Sequence, residues 1–497
     1  MPDPVMTWAP VPAILELVVL LAALFGMFRH FQRTLAESAA SSIMLTLMAV
    51  SLLQQIALIH PAAALATIVF ESGIAAVAGW ICWQRRTMEI VLIREVCDFW
   101  VQRNKVVMAS LVVCWGYLAF KGVNFTPAGP VLAGLKSLKA ASGLPGFCPS
   151  NTLVLSRHFV RFGTFRGIGL FGFLGYLSIA FSTYALSRRY AWLPVAFTVA
   201  VAVACFPRFV LLAAGPGVEI IPAAASVFAI LETYRLKEKP CLSDLYLLVL
   251  AILFVSSHDA AAFLFSCVLA ALCLALLVRR HGSSMVMMAR SAWKRTLLLL
   301  FPMAFFSRIW AWRTSSLFDG LDRNPDELMG GAANACRYLL DSIDVTQPVD
   351  HFFKVIWHVS AYDLVMALYK FAVYPVFGNR GSSLVFQVAD KHGEVLSWFG
   401  PFASFLVLGA VVLALVRGPR RLKFVGIALT AYVYLLSLVF EWRPENVRFF
   451  SSVYACAGFF LSFLLPPWRL DRYGKWGLQI ASIIGLIYTC FFLPKPI

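Results

Sequence analysis

The sequence predicts an all-α, polytopic transmembrane protein of about fourteen spans, with amphipathic helices on its outward side. Three observations predict it. The 497 residues are 60% hydrophobic and only 13% charged, with a mean hydropathy of +0.79, whereas soluble domains are roughly 45–50% apolar and about 25% charged. Apolar runs of span length recur along the whole chain. Basic residues gather in every second interval between those runs. This composition excludes a cytosolic enzyme, a disordered chain and a disulfide-stapled secreted scaffold.

The apolar runs fall at about 12–28, 43–60, 62–83, 106–122, 168–186, 190–206, 218–234, 241–257, 260–278, 296–311, 398–416, 424–441, 448–466 and 476–493. Arg29 and Arg33 follow the first, Arg85 and Arg86 the third, and Arg188 and Arg189 the fifth. Arg235, Lys237 and Lys239 follow the seventh, and Arg279, Arg280, Lys294 and Arg295 the ninth. Arg417, Arg420, Arg421 and Lys423 follow the eleventh, and Arg469, Arg472 and Lys475 the thirteenth. Lys and Arg concentrate in cytoplasmic loops, so both termini are expected to face outward. The first run lacks a basic leader and a small-residue cleavage site and reads as a retained helix. Residues 88–105 read as an amphipathic helix on the cytoplasmic surface.

Two outward intervals are long, about 123–165 and about 312–397. The chain therefore divides into a three-span region with its interfacial helix (1–105), a transmembrane core (106–311), an outward loop and helix region (312–397) and a four-span C-terminal region (398–497). The net charge of +17 belongs to the cytoplasmic loops. No basic stretch interleaved with aromatics points to nucleic acid. The 11 cysteines are scattered, without a CxxC or a His/Cys cluster of metal spacing. Cys148 and Cys336 both fall in outward intervals, but their pairing is not expected. GxSxG, HExxH, P-loop and dinucleotide fingerprints are absent, which removes soluble-type hydrolase, kinase and dehydrogenase chemistry.

Candidate functional residues lie on the outward side. The interval 312–397 carries Asp319, Asp322, Asp326, Glu327, Asp341, Asp344 and Asp350, with Arg323, Arg337, His351, Lys354 and His358. They fit an acid/base or metal site, or a solvated face; the apolar spacing over 333–358 predicts helices resting on the membrane. The segment EWRPENVRFF, 441–450, places Glu441, Arg443, Glu445, Asn446 and Arg448 at a helix junction. Two arginines about a Pro-broken turn suit a phosphate, because guanidinium forks match its oxygens. The same arginines also suit an interfacial anchor beside Trp442. Glu219 in GPGVEIIP, and His258 with Asp259 in SSHDAAAF, stand where the chain re-enters the membrane. Each acid is either a helix N-terminal charge or a catalytic or metal carboxylate facing a cavity. Within the spans, Glu16 and Glu71 are the main charges.

Four segments resemble the bacterial polytopic glycosyltransferases of the GT-C fold, the broad group of dolichyl-phosphate-mannose-protein mannosyltransferases and aminoarabinose transferases. They are SWFGPFASFLVL (397–408), EWRPENVRFF (441–450), FPRFVLLAAGPGVEIIPAAAS (206–226) and NACRYLLDSID (334–344). The resemblance implies a multi-pass protein of the bacterial inner membrane whose site faces the periplasm. It implies transfer of a sugar from a polyprenyl-phosphate carrier to a cell-envelope glycan, lipid or protein. It implies an outward carboxylate as base or metal holder, for which Glu219, Asp259 and Asp344 are the candidates. It gives the lipid phosphate to Arg443, Arg448 and Asn446. No resident cofactor is expected beyond, as an option, a divalent metal.

The chain departs from the family at one point. The first large outward loop, where the family carries an acid, is KGVNFTPAGPVLAGLKSLKAASGLPGFCPSN here (121–151), with Lys136 and Lys139 and no acid. Those lysines suit an anionic lipid or polymer. The departure keeps an alternative open: a non-catalytic relative that carries a lipid-linked sugar across the membrane or serves as a partner subunit.

Overall fold

The computed structural model describes residues 10–31, 33–59, 63–84, 105–125, 151–291, 293–297, 302, 306, 324–343, 347–386, 399, 401–465 and 472–491. The regular elements among them are helical. The chain is an integral, multi-pass membrane protein. Among the described residues, seven helices are long and apolar enough to cross a bilayer, and the bent pair Leu193–Ala204 and Pro207–Ala213 adds an eighth. Shorter apolar helices occur at Thr67–Ile81, Leu242–Ser256, Ala403–Arg417 and Trp476–Ile487. The run at 296–311, the surface helix at 88–105 and the loop at 126–150 lie almost wholly outside the described residues.

Helices α1 (Val11–His30), α2 (Leu35–Ile59) and α3 (Ala63–Trp83) pack on one another. Next come α4 (Lys105–Val123), the short α5 (Asn151–Val160) and α6 (Gly169–Ser187). The bent pair is α7 (Leu193–Ala204) and α8 (Pro207–Ala213). They meet at 66°, because Pro207 has no N–H and its ring would clash with the carbonyl one turn back. The central pillar is α9 (Ile220–Glu238), which packs on α6, on α10 (Leu242–Ser256) and on α11 (Ala260–Ser291). Every residue from Ile220 to Tyr234 is buried, as befits a helix with neighbours all round. A lipid-facing helix differs: α4 exposes Val106, Val112, Val113 and Phe120 along one side.

Glycines let α6 approach its neighbours. A Cβ on Gly169 would come 2.8 Å from Gly122 Cα in α4, and one on Gly172 would come 2.5 Å from the Gly215 carbonyl after α8. Small residues at such crossings replace the missing hydrophobic drive between helices in lipid with close packing.

At the end of the bundle carrying the basic loops, the arginines are not simply solvated. Arg33, in the turn between α1 and α2, is buried and donates to both oxygens of Glu232 at 2.5 and 3.0 Å and to Asp244 at 2.6 Å. Arg235 pairs with Glu37 at 2.5 Å and Asp244 at 3.3 Å. Arg189 pairs with Glu37 at 2.8 Å and Glu238 at 2.9 Å. Burial works against the charge on Arg33, but Glu232 and Asp244 outweigh it and hold the guanidinium above the usual arginine range. The network ties the first turn to α2, α6, α9 and α10.

At the opposite end, α13 (Glu327–Ser342), α14 (Gln347–Trp357) and α15 (Ala361–Leu368) form a cap. Helix α15 runs through a π-helical turn, Tyr369–Val373, into α16 (Tyr374–Phe377). The short α12 (Trp293–Leu297) precedes the cap in the chain. The expected amphipathic helices are present: Trp357, Leu364, Leu368 and Val376 stay exposed, and Phe371 is 87% exposed, the pattern of helices lying in a membrane interface. The cap is held by Arg337, which is fully buried. Its guanidinium donates to Asn334 Oδ1 at 2.8 Å and to the carbonyls of Arg380 and Gly378 at 2.6 and 3.0 Å. Arg337→Met should leave these acceptors unpaired, at about 1–3 kcal/mol each. Hydrogen exchange over 377–382 is expected to rise at least tenfold, with the membrane helices unchanged.

Two acids of this region brace the cap. Asp326 accepts from Gly381 N at 2.5 Å. Asp350 accepts from Ala361 N at 2.9 Å and Ser360 Oγ at 2.6 Å, and pairs with Lys354 at 2.6 Å. Cys336 is a free thiol.

Candidate functional site

The cap end gathers segments far apart in the sequence. C-terminal to the cap lie α17 (Pro401–Arg417), α18 (Arg420–Val439), a 3₁₀ turn (Pro444–Phe450) and α19 (Ser451–Ala457). Arg208, at the start of α8, is buried. It forms an ion pair with Glu219, and its Nε donates to Ser451 Oγ at 3.0 Å. Its guanidinium lies 5.5 Å from the Phe399 ring centre. Phe399 stacks on Tyr454 at 4.0 Å, and Tyr454 donates to Ser404 at 2.8 Å, which in turn donates to the Ser342 carbonyl of α13. Tyr338 of α13 donates to the Glu441 carbonyl at 2.7 Å. All four segments carrying the family resemblance therefore meet at this end.

The same contacts show where each predicted residue stands. Glu219 stands at the N-cap of α9 and neutralises Arg208. Asp259 caps α11, accepting from Ala262 N at 2.7 Å, so it takes the helix N-terminal role of its two readings. Asn446 spends its side-chain N–H groups on Tyr338 Oη and the Glu441 carbonyl, both at 3.2 Å, and so braces the turn. Arg443 is half-buried in that turn, and Arg448 is exposed with its guanidinium 4.9 Å from the Phe449 ring centre. Asp344, Lys136 and Lys139 lie outside the described residues. Glu219→Gln should strand the buried Arg208 charge and lower stability by about 3 kcal/mol. A thermal scan in detergent is the measurement, and Glu219→Gln with Arg208→Met should recover most of the loss.

A second cluster at this end was not assembled from the sequence. Arg161, just past α5, places Nη2 at 2.5 Å from Glu16 Oε2 of α1 and at 2.5 Å from Glu71 Oε2 of α3. Its Nη1 donates to Thr67 at 3.1 Å. The same Nη2 is 3.1 Å from His158 Nδ1, and His158 Nε2 is 3.1 Å from the Ala13 carbonyl. The geometry fits a neutral imidazole that donates from Nε2 and accepts at Nδ1. Phe159, Phe162 and Phe171 set their edges or faces around that ring.

Two carboxylates thus share one guanidinium. Glu71 is fully enclosed, whereas the Glu16 side chain is 17% exposed. Glu16 Oε1 and Glu71 Oε1 are both buried without a hydrogen-bond partner. Glu16, Glu71 and His158 are the one group among the described residues with the ligand spacing of a metal site. They do not fit a resident metal, because Arg161 already fills the place between the carboxylates that a cation would take. One turn before Arg161, Arg157 offers a further cation. It has no carboxylate partner among the described residues, and its Nη1 is buried without a hydrogen bond. Burial pulls this guanidinium below the usual arginine range, which favours an arriving anion.

The two clusters flank the first turn of α6. Phe171 lies 6.1 Å from the His158 ring, while Gly172 lies against the backbone of Leu212 and Gly215, at the end of the helix that Arg208 begins. The sequence did carry one signal for the second cluster: Arg157, Arg161 and Arg166 stand on the side the charge rule leaves poor in basic residues, and so call for acids. No protein-family model, curated protein or solved structure matches this chain.

Proposed function

We propose that the chain is a GT-C-like membrane glycosyltransferase that crosses a bacterial inner membrane fourteen times, with its termini and its site on the periplasmic side. It takes a sugar from a polyprenyl-phosphate carrier and passes it to a hydroxyl of a cell-envelope glycan, lipid or protein. The observation that carries this reading is the Glu16–Glu71–Arg161–His158 cluster. It supplies acids, from α1 and α3, directly beside the end of the first large outward loop, where the related enzymes carry theirs and this loop has none.

Glu16, the more accessible carboxylate, takes the proton of the acceptor hydroxyl. The acceptor oxygen forms a bond to the anomeric carbon as the bond from that carbon to the phosphate oxygen breaks. The electron pair leaves on the carrier phosphate, whose charge is met by Arg157 and, across α6, by Arg443 and Arg448. Glu71 and His158 hold Arg161, and Arg161 holds Glu16 in place. Glu219 and Asp259 keep the structural roles their contacts give them.

A second reading is favoured by the 66° break between α7 and α8, since broken helices mark the substrate sites of many transporters. In it the chain moves a lipid-linked sugar without cleaving it. One experiment separates the two. The purified protein is placed in liposomes holding a polyprenyl-phosphate hexose labelled in the sugar, with periplasmic-type acceptors outside. Label leaving the lipid phase supports transfer. Label that stays on the lipid but changes leaflet supports the transporter.

A further inference from the structure

At the basic end, a cavity of about 660 Å³ runs between α2, α4, α6 and α7. Its deep walls are Met108, Leu111, Trp115, Phe197, Val201 and Ala204; its mouth holds Thr34, Glu37, Arg188, Arg189 and Glu238. We infer that it binds one anionic lipid of the leaflet at this end, with a hydrocarbon tail inside and the headgroup phosphate on Arg188.

The walls decide the tail. The one indole N–H there, on Trp115, is already given to Tyr176 Oη at 3.2 Å. Apart from Trp115 and Tyr184 the walls between mouth and end are apolar side chains, and water needs two to four polar partners to occupy a buried site. The volume falls within the range of roughly 300–1,000 Å³ typical of ligand sites. The mouth decides the headgroup. Arg189 is spent on Glu37 and Glu238. Arg188 is exposed, donates Nη1 only to the Ala191 carbonyl at 3.2 Å, and has no carboxylate partner among the described residues. An unspent guanidinium at the rim of a largely apolar cavity is complementary to a phosphate on a hydrocarbon chain.

The site lies at the end opposite the sugar-transfer cluster, so the inference stands apart from that reading. The test uses the full chain in nanodiscs with phosphatidylglycerol bearing a photoactivatable group on one acyl chain, and maps labelled peptides by mass spectrometry. Label is expected on the peptides holding Trp115, Phe197 and Val201. Ala200→Trp, which fills the cavity, should cut it at least fivefold. If that variant fails to fold, Ala185→Leu narrows the cavity with a smaller change. Arg188→Gln should reduce labelling to the level given by a phosphatidylcholine probe, and Glu16→Gln should leave it unchanged. Absence of label on these peptides would overturn the inference. So would label that survives both the filling variant and Arg188→Gln, equal labelling of wild type by the two probes, or competition by soluble glycerol phosphate, which would mark a phosphate site that needs no tail.

Discussion

Glu16→Gln is expected to lower sugar transfer by about 10²–10⁴-fold, the usual contribution of a positioned base, while the protein still inserts, folds and binds the lipid carrier. The clean separation comes from what each substitution leaves behind. Glu16 and Glu71 both meet the same Nη2 of Arg161 at 2.5 Å. Removing one carboxylate charge with an isosteric amide leaves a balanced Glu71–Arg161 pair, so the midpoint of thermal unfolding should stay within a few degrees. Arg161→Met is the control with the opposite signature. It leaves two buried carboxylates without a cation, and the fold should suffer along with activity. Turnover of the labelled polyprenyl-phosphate hexose, measured beside thermal unfolding, reads both. A Glu16→Gln protein that is folded and fully active would remove Glu16 as the base.

Arg33→Met is expected to be the most damaging single change at the basic end, costing about 3–5 kcal/mol. For 497 residues that corresponds to a fall of the thermal midpoint of about 3–5 °C. Glu232 loses both of its short contacts, and Asp244 is left with Arg235 alone. The cost is the stranded buried charge and not the net worth of the pair. Arg33→Met with Glu232→Met should therefore be much closer to wild type than Arg33→Met alone. Equal losses in the single and double variants would show that packing of the Arg33 stem, and not charge, holds this end together.

The residues of these two experiments differ in how far the sequence exposed them. Arg33 was legible as part of a basic interval, but its partners were not. Glu232 and Asp244 lie 199 and 211 residues away, and no local spacing links them. Glu16 and Glu71 were visible as charges inside apolar runs. Their meeting at Arg161, across 145 and 90 residues, was not. Glu219 and Asp259 each had a structural and a chemical reading from the sequence. A counterion contact to Arg208 and a cap on Ala262 gave them structural roles.

The sequence by itself determined that this chain lives in a membrane, where most of its helices run and which intervals between them are basic. Those properties follow from composition and from one-dimensional periodicity, because a bilayer imposes span length and sorts charge residue by residue. It also determined the amphipathic cap, since spacing of three and four residues is a local property. Only the tertiary structure decided which charges are paired, which acids are left with an unmatched oxygen, and which arginine at the rim of an apolar cavity is unspent. An ion pair in a low-dielectric interior depends on distances of a few ångströms between helices, and those distances are set by how the helices cross, here by glycines such as Gly169 and Gly172 that let α6 close on its neighbours.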